Sequence, residues 1–161
     1  MAIKVGDKLP DAAFYTMSPE GPKPMTTADV FGGKKVVLFA VPGAFTPTCH
    51  NTHLPGFIQM AGDMKSKGID TIACTAVNDI FVLTAWAKQT GADGKILFLA
   101  DGAADFAKKV GLELDLTARG MGVRSQRYSM LVEDGVVKQL NLEAPGKSEV
   151  SNAETLLGQL G

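Results

Sequence analysis

Three unbroken apolar runs constrain this chain most: KKVVLFAV (Lys34–Val41), DTIACTAV (Asp70–Val77) and KILFLA (Lys95–Ala100). They lack the in–out alternation of a half-exposed strand, so each reads as a strand covered on both faces. Helical patterns separate and follow them. HLPGFIQMAGDMKSKG (His53–Gly68) ends on a glycine suited to a C-cap. NDIFVLTAWAKQTG (Asn78–Gly91) offers Asn78 and Asp79 as N-caps and stops at another glycine. GAADFAKKVG (Gly102–Gly111) sets Ala103, Phe106, Ala107 and Val110 at the i, i+3, i+4, i+7 spacing of one helix face. Strand–helix alternation of this kind implies parallel strands joined by crossovers.

The two ends of the chain differ from this middle. RYSMLVEDGVVKQLNL (Arg127–Leu142) carries Asp134-Gly135 between two strand-like runs, the strongest short hairpin signal. SNAETLLGQL then offers a Ser151…Glu154 capping box, with Ala153, Leu156, Leu157 and Leu160 on one face. Near the start, SPEGPKP crowds three prolines and a glycine together and reads as a surface loop. It leads to a short helical turn capped by Thr26 or Thr27.

At 161 residues the chain suits one domain, 1–161, with a full hydrophobic core. A net charge of −1 with scattered lysines and arginines leaves no footprint for nucleic acid or an anionic membrane. No run approaches the roughly 18 apolar residues of a membrane span. The opening MAIKVGDKLPD lacks the apolar stretch of a secretory signal. Two cysteines are too few for a disulfide scaffold, so a reducing compartment, the cytoplasm, is expected.

Both histidines and one cysteine fall inside VPGAFTPTCHNTHLPGF (Val41–Phe57), directly after the first core strand. Thr46 is a good N-cap and Pro47 suits the first helical position, where its missing N–H costs nothing. Thr48 and Cys49 then occupy the first turn, whose free N–H groups and positive dipole end favour an anion such as a thiolate. Pro55 removes an intrahelical bond and is expected to kink the helix. Cysteine is also among the most buried residue types, so position alone does not separate a nucleophile from core packing.

The same segment resembles the peroxidatic-cysteine region of the peroxiredoxins, and more narrowly the five-type (type II, atypical) subfamily, through PGAFTPTC and HLPGF. The resemblance continues through AVND (Ala76–Asp79), LFLAD (Leu97–Asp101) and RYSMLVEDG (Arg127–Gly135). It implies a thioredoxin-like α/β fold: a central mixed sheet flanked by helices, with an N-terminal extension. The order of elements suits that fold, as it would other α/β folds. The resemblance also implies a thiol peroxidase that reduces hydrogen peroxide and alkyl hydroperoxides. In it Cys49 attacks the terminal peroxide oxygen, and Thr46 hydrogen-bonds peroxide and sulfur through its hydroxyl. Arg127 sets its guanidinium beside the thiolate, and Pro42 shields the site from water. Backbone N–H groups near Thr48 and Cys49 bind the peroxide oxygens.

Physical chemistry asks for such company. Lowering a thiol's pKa from about 8.5 to about 6 raises its thiolate fraction at pH 7 about thirtyfold. A Brønsted slope near 0.4–0.5 makes that thiolate about tenfold less nucleophilic. Rate must therefore come from donors that grip the oxygens as the O–O bond stretches. Arg119 and Arg124 lie near Arg127, and Arg124 is a possible second contributor.

Cys49 and His53, at i and i+4, share a helix face with His50 close by, but a metal site needs three or four ligands and only Cys74 remains of those types, so no metal is expected. His53, inside the matched HLPG, is expected to orient the site, and His50 to be exposed. Cys74 sits within a strand and reads as core. Many five-type members carry a resolving cysteine towards the C-terminus, where this chain has Val150 and Ser151. Cys74 could pair with Cys49 only if the helix start unwound. The expected resolving partner is an external thiol, glutathione with glutaredoxin or thioredoxin, and no cofactor is implied. Family members are commonly homodimers, with Phe45 and Trp86 as contact candidates against a default of core burial. Two alternatives remain: a thiol–disulfide oxidoreductase, which would normally use the C-x-x-C pair absent here, and a non-catalytic binding or chaperone-like module.

Overall fold

The computed structural model describes residues 2–160. The strands are β1 (Ala13–Ser18), β2 (Gly21–Thr26), β3 (Lys35–Ala40), β4 (Thr71–Ala76), β5 (Leu97–Ala100), β6 (Glu113–Leu116), β7 (Gly122–Ser125), β8 (Tyr128–Glu133) and β9 (Val136–Leu142). The helices are α1 (Thr27–Phe31), α2 (Leu54–Ser66), α3 (Ile80–Thr90), α4 (Asp105–Lys109) and α5 (Ala153–Gln159). Seven strands form one mixed sheet in the order β2-β1-β5-β4-β3-β8-β9, while β6 and β7 make a separate antiparallel ribbon. The three apolar runs are the parallel centre, β3 pairing with β4 and β4 with β5.

The continuous apolar character of β3 follows from its position between two cores. Val37, Phe39 and Val41 face a cluster that includes Leu54, Phe57 and Met64 of α2, Leu83 and Trp86 of α3, and Leu156 of α5. Val36, Leu38 and Ala40 face the opposite cluster, with Phe14, Val30 and Phe31 of α1, and Phe106 of α4. Successive strand side chains point to opposite faces, so a strand with helices on both sides has no polar position to spare.

Asp134 and Gly135 take φ of 48° and 78°, the paired positive values of a type I′ turn, and join β8 to β9 as the sequence predicts. Thr26 caps α1 in a reciprocal box with Asp29, and Asp79 caps α3 by accepting from Val82 N.

Three expectations need correction. α4 starts only at Asp105, so Ala103 lies outside it and is exposed. SPEGPKP is not a loop: β1 and β2 form a hairpin across it, pairing Met17 with Pro22 and Tyr15 with Pro24. Because β2 is the sheet edge, its prolines can face outward, where the missing N–H breaks no ladder. The cap of α5 is Asn152, which accepts from Thr155 N, not Ser151.

Candidate active site

β3 delivers the chain to Val41, after which Pro42–Phe45 turns sharply. Ala44 N donates to Asn78 Oδ1 at 2.9 Å, tying this turn to the end of β4. Phe45 is held at φ +65°, a left-handed backbone that a bulky side chain adopts at a cost of about 1–3 kcal/mol. Its ring stacks on His50 and leans on Trp86. Gly43 permits a close approach: a Cβ there would stand 3.0 Å from Arg124 Nη1 and 3.1 Å from Thr46 Cγ2.

The helix begins at Pro47, with Thr46 as the residue before it, and His50 N donates to Thr46 O at 2.8 Å. Thr46 does not cap through its hydroxyl, which donates instead to Gly43 O at 2.7 Å. The next turn, Cys49–His53, is a π turn in which Leu54 N donates to Cys49 O, five residues back. It runs up to Pro55, which has no N–H to continue an α ladder, so the expected irregularity takes this form.

Cys49 is fully buried, and Arg127, from the residue just before β8, donates from Nη2 to its Sγ at 2.9 Å. The other terminal nitrogen, Nη1, donates to His53 Nδ1 at 2.8 Å, and His53 Nε2 donates to Ser151 O at 2.9 Å. Guanidinium carries only donors and a carbonyl only accepts, so His53 is the neutral Nε2–H tautomer. Arg127 is thus a fork held at one tine by His53 and aimed with the other at sulfur. A cleft of about 220 Å³ opens beside this group, lined by Pro42, Thr48, Leu114, Gln126, Arg127 and Glu143–Lys147. A larger cavity of about 520 Å³ lies at the beginnings of β4 and β5, the opposite end of the sheet from Cys49, and shares no residue with this cleft.

The structure therefore brings together Pro42, Thr46, Thr48, Cys49, His53 and Arg127 from segments far apart in sequence. Arg124, carried by the β6–β7 ribbon, donates from Nη1 to Pro42 O at 3.4 Å, behind the turn. Cys74 lies opposite Phe39 on β4, fully buried, and burial above all pushes its thiol pKa well up. Both cysteines are free. His50 is not simply exposed: half-buried, its Nδ1 accepts from Trp86 Nε1 at 3.0 Å. Trp86 is core, as expected by default, but Phe45 is 42% exposed. Sequence reasoning missed Glu143, a buried carboxylate just past β9 whose Oε2 accepts from Ser151 N, Ser151 Oγ and Val150 N. The glutamate just before the Pro-Gly turn of EAPGKSEVS is the one weak signal that could have marked it.

Burial first, and then the Arg127 charge, lower the His53 pKa from 6.5 to about 4. The unfolded chain takes up this proton first, so the stability His53 contributes is complete above about pH 6.5 and is lost as pH falls towards 4. At about 1.4 kcal/mol per pH unit, the loss is roughly 3 kcal/mol. Urea unfolding from pH 7 to 4 should show wild type losing that much more than His53→Phe. Equal losses would mean that His53 is not held neutral.

The Redoxin family pattern matches residues 4–157. Peroxiredoxin-2E, chloroplastic, of Arabidopsis thaliana is 50% identical over 163 residues, covering 99% of this chain and 70% of its own. Reduced Prx3 from Vibrio vulnificus, crystallised in complex with hydrogen peroxide, superposes with a TM-score of 0.95 at 52% identity over 99% of both chains. A Burkholderia cenocepacia structure provisionally described as a thioredoxin reductase superposes with a TM-score of 0.97 at 46% identity, covering 100% of this chain and 99% of its own. The two cysteines here stand 25 positions apart and form no C-x-x-C pair. A thioredoxin-like sheet, a family pattern spanning almost the whole chain and half-identical relatives agree: this chain belongs to the peroxiredoxins, among their type II members, and is a thiol peroxidase.

Proposed function

We propose that Cys49 is the sulfur that takes oxygen from the hydroperoxide, and that an external thiol returns it to the reduced state. The observation that carries this is the 2.9 Å contact from Arg127 Nη2 to Cys49 Sγ. The thiolate attacks the terminal peroxide oxygen, the O–O bond breaks, and the departing oxygen leaves as water or an alcohol after gaining a proton. Cys49 becomes a sulfenic acid. As charge shifts onto the departing oxygen, the guanidinium and the first-turn N–H groups near Thr48 and Cys49 offer donors that water would have to reorient to supply. Thr46 has its proton engaged by Gly43 O, so its free lone pair suits the peroxide O–H as an acceptor. Pro42 forms an apolar wall of the cleft beside Arg127.

The sulfenic acid is then attacked by a reductant thiol, water departs, and a second thiol releases Cys49 as the reductant becomes a disulfide. Glutathione with glutaredoxin, or thioredoxin, fits this role. Cys74 does not: it is fully buried in the middle of a paired strand, and its thiol is held protonated. We place the protein in the cytoplasm, where thiol reductants are abundant and free cysteines persist. We assign it a homodimeric state, with the exposed Phe45 as a contact residue.

One equivalent of hydrogen peroxide should add a single oxygen to Cys49, trapped by dimedone and located by peptide mass. Turnover with the glutathione/glutaredoxin and thioredoxin systems should be unchanged in Cys74→Ser. A label on Cys74 rather than Cys49 overturns the first statement. Loss of one reductant's activity in Cys74→Ser overturns the second.

A further inference from the structure

We propose that Glu143 and Ser151 are positioning residues for the peroxidase reaction: they fix the ring of His53, which in turn holds the Arg127 fork against Cys49. The inference rests on the assignment of Cys49 as the reacting sulfur.

The hydrogen bonds close into a ring. Glu143 N donates to Arg127 O at 3.1 Å, so the glutamate is tied to the backbone of the arginine it serves. Its Oε2 takes three donors: Val150 N at 2.8 Å, and Ser151 N and Oγ, each at 2.7 Å. These bonds fold the end of the 143–151 segment back so that Ser151 O meets His53 Nε2. His53 Nδ1 then accepts from Arg127 Nη1, and Arg127 Nη2 reaches Cys49 Sγ. Every donor in this ring has one acceptor in place, and Glu143, Ser151 and His53 are all buried.

The arrangement carries information, not only adhesion. A protonated Nδ1 would face guanidinium N–H groups donor to donor and push the fork away from sulfur. Ser151 O excludes that tautomer, because it can only be satisfied by a proton on Nε2. Ser151 O is positioned in turn by the charge-assisted bonds on Glu143. Burial raises the Glu143 pKa, but the hydrogen bonds it accepts outweigh burial and leave it below the usual value, so the acceptor is a carboxylate. A displacement of about 1 Å in a group gripping the reacting atoms can cost about a hundredfold in rate.

The first test is the His53 tautomer, read from ¹⁵N chemical shifts and long-range couplings in the reduced protein. The expected state is Nε2–H with Nδ1 unprotonated; a wild-type Nδ1–H tautomer overturns the proposal, whatever the variants do. In Glu143→Gln and in the milder Ser151→Ala, checked as folded by circular dichroism, the ring signals should broaden or shift towards a mixture. In the Gln variant kcat/KM for hydrogen peroxide should fall about tenfold. Unchanged tautomer and rate in folded Glu143→Gln overturn the proposal.

His53 supplies the discriminating pair. His53→Phe keeps a ring against Phe39 and Phe57 but removes the acceptor. His53→Asn loses the ring but can place its Oδ1 near the former Nδ1. The Asn variant should be about tenfold more active than the Phe variant, whereas a purely packing role reverses that order and overturns the proposal. Failure here with dimedone labelling intact at Cys49 refutes only the positioning ring. Absence of Cys49 oxidation refutes the underlying assignment and leaves the tautomer measurement standing.

Discussion

Cys49→Ser should abolish thiol-dependent peroxidase turnover, with kcat/KM for hydrogen peroxide expected to fall by at least about 10⁴-fold. The exchange of sulfur for oxygen keeps the side chain's shape in a position that is fully buried, so the fold survives. What is lost is the nucleophile. A serine hydroxyl does not ionise near neutral pH, and no base is free to take its proton, because the His53 lone pair is engaged by Arg127. Steady-state peroxide consumption under saturating thiol checks this, with circular dichroism as the folding control. Substantial residual turnover would move the chemistry to Cys74, the one other thiol in the chain.

The second large effect is at Arg127. Arg127→Met should lower kcat/KM by about 10²–10³-fold, roughly 3–4 kcal/mol of transition-state stabilisation. Lysine should recover little of it: a single ammonium on a flexible stem cannot reach His53 Nδ1 and Cys49 Sγ with the fixed spacing of a guanidinium. The methionine variant also leaves the buried His53 Nδ1 without a donor, a cost of about 1–3 kcal/mol in stability. Because the Arg127 charge helps to depress the His53 pKa, its removal should raise that pKa from about 4 and narrow the acid range over which stability is lost. A rate within threefold of wild type in Arg127→Met would contradict the role given to the 2.9 Å contact.

The parts of the fold set by local rules were legible in the sequence. β3, β4 and β5 announce themselves because strands with helices on both faces have no polar positions, and Asp134-Gly135 names its own turn. The β1–β2 hairpin was hidden by Pro22 and Pro24, which argue against a strand until the sheet order shows that β2 is the edge. The cap of α5 was misplaced by one residue because Ser151 is drawn to Glu143, eight positions earlier.

At the site, Pro47 and Cys49 fall where helix-start chemistry puts them, whereas Thr46 precedes the helix without capping it through its hydroxyl. The contact from Arg127 to Cys49 could not be read that way, since no periodicity links residues 78 positions apart. Only the family resemblance raised Arg127 above Arg119. Glu143 had only the Pro-Gly turn after it as a mark, and the role proposed for it rests on what the fold brings to it.

The assembly of Arg127, Glu143 and Ser151 around Cys49 also has a consequence in time. At about 5–20 residues per second, the 78 residues from Cys49 to Arg127 occupy a ribosome for roughly 4–16 seconds. Throughout that interval the nascent thiol has neither its guanidinium nor the segment that anchors His53. On the proposed assignment, Cys49 gains its full set of partners only after synthesis has passed Ser151, and shorter nascent chains lack them.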